Sequence, residues 1–165
     1  MPLSVFQARM VIPVCTLGIR TAGGAVSEIR FLPPGEGELA PADALAEEAC
    51  RQIARYLADP EFRFELPLAG IGTPFQRRVW AGIAAIPRGQ TRTYGAIAAA
   101  LMSGPRAVGQ ACGANAFPLV IPCHRVVSAA GLGGFAHHDG GFHLSVKRWL
   151  LAHERAQPVP HEGAA

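Results

Sequence analysis

Residues 93–116 read "TYGAIAAALMSGPRAVGQACGANA". Thr93 is a good helix N-cap, and the small and apolar residues that follow it run as far as Met102. The turn "SGP" at 103–105 then breaks the run. Pro105 stands where a second helix opens, a position at which its missing N–H is no loss. Two short helices across a tight, Gly-containing turn form either a helix-turn-helix or a plain αα-hairpin. The second helix is unusual for a reader of DNA bases. After Arg106 it carries Ala107, Val108, Gly109, Gln110, Ala111, Cys112, Gly113 and Ala114. Major-groove readout needs long polar side chains, and this helix offers one Gln. Small residues instead let a helix backbone come close to another surface, which is either a core neighbour or a shallow or narrow groove. Arg106, at the exposed start, has no evident core role.

Working outward, "GTPFQRRVWAGIAAIP" at 72–87 opens with Thr73 as N-cap, Pro74 at the first helical position and Gln76 at the third, a capping box. Phe75, Val79 and Ile83 share one face, and "PRGQ" at 87–90 ends the helix. Near the other end, "LSVKRWLLAHE" at 144–154 reads as a helix. The first part of the chain has a different texture. "SVFQARMVI", "VCTLGIRT" and "AVSEIRFL" read as strands, the last two joined by a hairpin at "AGG". After the loop "PPGEGELAPAD", residues 42–59 place Leu45, Ala49, Ile53 and Leu57 on one face of a helix, with Ala46, Cys50 and Ala54 beside it. The early acids Asp43, Glu47 and Glu48 suit its dipole. "FRFELPLAG" is either a further strand or a linker.

The fold class is therefore α+β. Residues 1–71 form a small α/β domain with a short antiparallel sheet and a helix. Residues 72–155 form a mostly helical domain with a helix-turn-helix. Residues 156–165 have the composition of a disordered tail. The first half contains no His and no clustered nucleophile, and reads as scaffold.

Half of the 165 residues are apolar and 16% are charged, so the chain can bury a core. No apolar run approaches the ~20 residues of a membrane span, and the N-terminus lacks a signal-peptide pattern. Cys15, Cys50, Cys112 and Cys123 are irregularly spaced without a C-x-x-C pair. That argues against a disulfide framework or zinc site and for a reducing cytoplasm. The net charge is −3 up to residue 71 and +6 from residue 72 onward. The basic half suits a polyanionic partner, although a merely solvated basic face would look the same.

Cys123 and His124 lie side by side in "PLVIPCHRVVSA", residues 118–129. Buried Cys is commonly a small hydrophobe. A thiol of ordinary pKa, about 8.5, needs a base or nearby positive charge to act as a nucleophile, and His124 and Arg125 are the candidates. In an extended chain His124 would point to the opposite face, so a proton would have to pass through a water. A carboxylate beyond the His would then fix its tautomer. Glu154 is the best placed of the three acids in this half.

Five blocks in order, "GTPFQRRVW", "IPRGQTRTYGAIA", "RAVGQACGAN", "IPCHRVV" and "KRWLLAHE", strongly resemble the O6-alkylguanine-DNA alkyltransferases, the methylated-DNA–protein-cysteine methyltransferases. They cover nearly all of residues 72–154. The resemblance implies irreversible, single-turnover transfer of a methyl or larger alkyl group from O6 of guanine to Cys123, with O4 of thymine as a further candidate substrate. It makes His124 the base through a water, Glu154 the residue that orients His124, and Asn115 the tie between recognition helix and active segment. It makes Arg106 the finger that replaces a flipped nucleotide and Tyr94 the residue that crowds its phosphate. Ala107, Gly109, Gln110 and Gly113 become the face laid in the minor groove. Val126, Phe135, Ala136 and Pro118 become the base pocket, with the carbonyls of Cys123 and Val126 accepting from the guanine amino group. The implied partner is double-stranded DNA containing O6-alkylguanine, bound by a monomer without cofactor, metal or membrane.

The chain departs from the family in two ways. Phe135 and Ala136 stand where many relatives have Tyr and then Ser or Ala. The loop "FAHHDGGFHLSVK" is also longer than usual, and its His137, His138 and His143 suit a solvated loop better than a metal site. Two competing readings are a damaged-DNA binder without chemistry, which retention of Cys123 opposes, and a Cys–His hydrolase, for which no acyl pocket is evident.

Overall fold

A computed structural model of the chain describes residues 5–133 and 141–155. Three strands come first: β1 (Ala8–Ile12), β2 (Cys15–Ala22) and β3 (Ala25–Leu32). They form an antiparallel sheet in the order β1-β2-β3, with Ala8 opposite Ile19 and Leu17 opposite Phe31. The β2–β3 turn is the expected one. Gly23 and Gly24 hold φ of 60° and 79°, a backbone that glycine adopts without strain. β1 is shorter than the apolar pattern suggests and begins at Ala8, although the Gln7 N–H still donates to the Ile19 carbonyl at 2.8 Å and its side chain accepts from the Thr21 N–H.

Helix α1 (Ala44–Ala58) packs on the sheet with Ala46, Ala49, Ile53 and Tyr56 buried. Asp43 is its N-cap, accepting from the Ala46 N–H at 2.7 Å, so this acid caps the helix instead of merely lying near its dipole. Residues 62–70 run as a linker bridged to the sheet at Val26–Leu68, where Val26 bonds to the backbone of both Pro67 and Ala69.

The second half holds α2 (Pro74–Ala84), β4 (Arg92–Thr93), α3 (Tyr94–Ala100), α4 (Pro105–Gly113), β5 (Val126–Val127) and α5 (Phe142–Arg155). The Thr73–Gln76 capping box forms as expected, and Thr93 caps α3 by accepting from the Ala96 N–H. Trp80 of α2 donates its indole N–H to the Ala111 carbonyl of α4 at 2.8 Å, which seats α4 on the core. β4 and β5 are two residues each and pair in parallel, Arg92 with Val126 and Thr93 with Val127. This pair has no periodicity to announce it, yet it joins the cap of α3 to the segment that carries Cys123. The two halves also meet where the Ile29 N–H of β3 donates to the Ala116 carbonyl at 2.9 Å.

Candidate active site

The segment after α4 does not run extended. Cys123–Arg125 form a single 3-10 turn, and the Val126 N–H closes it on the Cys123 carbonyl. The expectation that Cys123 and His124 point to opposite faces of a strand is corrected accordingly. With about three residues per turn, successive side chains diverge by roughly 120°. The turn begins after Pro122, whose ring fixes φ and whose missing N–H removes a strand partner.

Cys123 is 6% exposed. Asn115 donates from Nδ2 to its Sγ at 3.0 Å and to the Ile121 carbonyl at 2.9 Å, while Asn115 Oδ1 accepts from the Phe117 N–H at 2.9 Å. All three bonds agree on one amide orientation, so Asn115 ties the end of α4 to the 3-10 turn. The Cys123 thiol also donates to the Cys112 carbonyl at 3.6 Å. The neighbouring Cys112 thiol and burial push the Cys123 thiol up, against the opposing pull of the Asn115 N–H and the Lys147 charge. The thiol is therefore held protonated, and its use as a nucleophile requires a base.

His124 is 1% exposed, and its Nε2 lies 2.7 Å from Glu154 Oε2. Its Nδ1 has no hydrogen-bond partner among the described residues. The ring therefore directs Nε2–H to the carboxylate and leaves a buried lone pair at Nδ1. Burial pushes the imidazole down, and Glu154 pulls it back only in part, so the ring is neutral near pH 7. Glu154 also accepts from Arg125 Nε and Nη2, both at 2.9 Å, and from the Tyr56 hydroxyl at 2.6 Å. Burial pushes the Glu154 carboxyl up. His124 and Arg125 outweigh it and hold the group well below the ordinary carboxylate range.

Two members of this cluster, Lys147 and Tyr56, were not read from the sequence, and Arg125 was read only as positive charge near the thiol. Arg125 follows His124 directly and also donates to the Ile86 carbonyl at 2.7 Å. Lys147 is fully buried and donates from Nζ to the Val126 carbonyl at 2.8 Å, and burial lowers its ammonium to about 8. Its signal was available, since Lys147 falls on the buried stripe of α5 with Leu150 and Glu154. Tyr56 likewise follows Ala49 and Ile53 at helical spacing on the buried face of α1. The first half is thus more than a remote scaffold, because it contributes a hydroxyl to the carboxylate behind His124.

The remaining sequence candidates fall on two surfaces. On α4, Val108, Ala111 and Cys112 are buried, whereas Arg106, Ala107 and Gln110 are exposed and Gly109 and Gly113 half-buried. The outer face of the helix is therefore small except for Arg106 and Gln110. Arg106 has no hydrogen-bond or ion-pair partner among the described residues. It sits in the first helical turn, where the dipole disfavours a cation. Beside the turn, Pro118 and Val126 are buried. Each carbonyl expected to face a base already accepts one bond, Cys123 from the Val126 N–H and Val126 from Lys147. One lone pair remains on each. Tyr94 is half-buried, burial pushes its phenol up to about 12, and a Cβ on Gly133 would lie 3.2 Å from its ring. Phe135, Ala136, His137 and His138 lie outside the described residues.

Comparison with known proteins gives this geometry a context. Residues 74–156 match the family model described as 6-O-methylguanine DNA methyltransferase, DNA binding domain. The chain is 43% identical over 111 residues to the constitutive methylated-DNA–protein-cysteine methyltransferase of Bacillus subtilis, covering 66% of this chain and 65% of that protein. The match thus spans slightly less than two thirds of that relative. A methylated-DNA–protein-cysteine methyltransferase of Mycobacterium bovis is 34% identical over 151 residues, 88% of this chain and 89% of that protein. In three dimensions the chain is similar to Mycobacterium tuberculosis OGT, solved in complex with DNA. The TM-score is 0.73 at 31% identity, covering 90% of this chain and 91% of that one. A match along both halves at this identity, with the family model spanning Cys123 and His124, places the chain in the 6-O-methylguanine DNA methyltransferase family.

Proposed function

We propose that this chain repairs DNA by moving an alkyl group from O6 of guanine in a duplex to Sγ of its own Cys123, once per chain. One observation carries the reading: a buried thiol stands next in sequence to a neutral imidazole whose Nε2 is pinned by a carboxylate and whose Nδ1 lone pair is unused. That is the arrangement of a base aimed by its partner. The Cys123 proton passes through a water to His124 Nδ1. The S–C bond forms as the C–O6 bond breaks, and the guanine leaves with its oxygen's electron pair and takes up a proton. The resulting thioether has no leaving route, so the chain stops after one transfer.

The target atom is not reachable in line inside a stacked duplex, so the nucleotide is rotated out into the pocket. The outer face of α4 supports binding in a minor groove. A Cβ built on Gly109 would meet nothing within 4 Å, so the protein's own packing does not require glycine there. Glycine within a helix costs about 1 kcal/mol relative to alanine, and close approach by another molecule gives that cost a reason. Arg106, at the start of the same helix and unpaired among the described residues, fills the space left by the extruded base. Tyr94 presses on the adjoining phosphate.

The test is incubation with duplex DNA carrying labelled O6-methylguanine, followed by peptide mass mapping. One methyl per chain on the Cys123 peptide, lost in Cys123→Ala while duplex binding survives, is the expected result. Repeated turnover, or label on Cys112, would show that the assignment is wrong. A parallel duplex with O4-methylthymine measures how far the substrate range extends.

A further inference from the structure

We propose that Tyr56, from the first half of the chain, is a positioning residue for the thiol chemistry, its hydroxyl holding Glu154 and limiting the proton affinity of His124. This rests on the alkyl-transfer reading. Glu154 Oε2 takes three donors: Tyr56 at 2.6 Å, His124 Nε2 at 2.7 Å and Arg125 Nη2 at 2.9 Å. Among the described residues Oε1 takes only Arg125 Nε, at 2.9 Å. A carboxylate oxygen has two lone pairs, so three donors share its charge. What Tyr56 and Arg125 draw is unavailable to His124, and the shortest of the three contacts is the phenol.

Tyr56 is built to stay a donor. It is 2% exposed, and burial together with the Glu154 charge pushes its hydroxyl far above its ordinary value. Its ring lies 5.5 Å from that of Phe64 and 5.2 Å, edge on, from that of His153, whose Nε2 lies 2.9 Å from the Tyr56 carbonyl. The hydroxyl is therefore set by the packing of α1 against α5, independently of His124. The charged groups that act on the imidazole are Glu154 and Lys147 of α5 and Arg125 in the 3-10 turn; Cys123 precedes it in that turn beside Cys112 of α4, and Arg88 and His153 lie by Tyr56. Among the described residues Tyr56 is the neutral donor on the oxygen that His124 uses, and Tyr56→Phe removes that bond while keeping the ring.

Removing the phenol leaves more negative charge on Oε2 facing the imidazole. The imidazolium form is then favoured, so His124 titrates at higher pH and loses its function as a base earlier as pH falls. The experiment compares methyl-transfer rates of wild type and Tyr56→Phe from pH 5 to 9, well below both melting temperatures. The expected result is an acid limb displaced upward by about half to one pH unit, which is roughly a three- to tenfold loss on that limb, with the alkaline plateaus close together. Superposable profiles, or a loss equal at every pH, would overturn the proposal. An NMR titration of the His124 ring in the same two proteins reads the displacement directly, and an unchanged ring titration overturns it too. Absence of transfer by the wild type would instead refute the function, and the ring titration would still report on Tyr56.

Discussion

At the scale of single residues, the site is governed by burial against partners. His124 is neutral in the fold because desolvation dominates, whereas in the unfolded chain it titrates near its ordinary 6.5. As pH falls through 6.5 the unfolded state takes up a proton that the folded state refuses, so stability declines. Glu154 acts in the same direction lower down. Its folded carboxyl lies below the ordinary 4.5, so its contribution is present above that value and lost as pH falls beneath it. Melting temperatures measured from pH 7.5 to 4 should therefore fall in two stages, and His124→Asn should flatten the first. Asn115 gives a second expectation. Asn115→Ala removes donors from Cys123 and Ile121 and an acceptor from Phe117, each about 1 kcal/mol. It should lower stability by roughly 2–3 kcal/mol in urea titration and slow methyl transfer even where folding is complete. Asn115→Asp should restore neither, since a carboxylate donates nothing to sulfur.

At the scale of elements, α4 separates what supports the fold from what faces outward. Gly109→Leu adds a side chain into open space and removes the glycine penalty, so its melting temperature should hold or rise. Its affinity for duplex DNA should nevertheless fall about tenfold or more in anisotropy titrations, because the added side chain keeps the helix from its groove. Arg106→Ala should leave stability unchanged and impair repair of duplex DNA far more than dealkylation of free O6-benzylguanine. These elements were legible in advance for local reasons. Thr73 with Gln76, Thr93, Pro105 and the Gly pair at 23–24 each mark a boundary within three or four residues of themselves. The β4–β5 pair and the 3-10 turn at Cys123 were not legible. Two-residue strands carry no period, and Val126 pairs with Arg92, distant in sequence.

At the scale of the whole molecule, the cluster draws on both halves. Arg88 donates to the Glu154 carbonyl at 3.3 Å and pairs with Glu61 at 2.7 Å, so residues from before and after the linker converge at the end of α5. Cys123, His124, Arg125 and Glu154 could be singled out from residue chemistry before the resemblance gave Cys123, His124 and Glu154 their roles, and Lys147 and Tyr56 could not. Lys147 and Tyr56 look like members of apolar stripes, and a polar atom on such a stripe reveals its partner only when two helices are docked. Methylation of Cys123 should be felt at this scale. The added methyl must enter a site where Cys123 is 6% exposed, and the thioether has no S–H to donate to the Cys112 carbonyl. The methylated protein should melt several degrees lower than the free protein in differential scanning calorimetry.

Tyr56 and Glu154 are 98 residues apart in the chain and 2.6 Å apart in space. Closing so long a loop is entropically slow, so this contact belongs to the late events of folding. Trp80 meets Ala111 across only 31 residues and can be buried earlier. A chain caught between these events has its helices and its thiol but a His124 without its full carboxylate network. Reactivity therefore has its own clock: after dilution from denaturant, methyl-transfer capacity should return with the slowest refolding phase and lag behind the fluorescence change of Trp80.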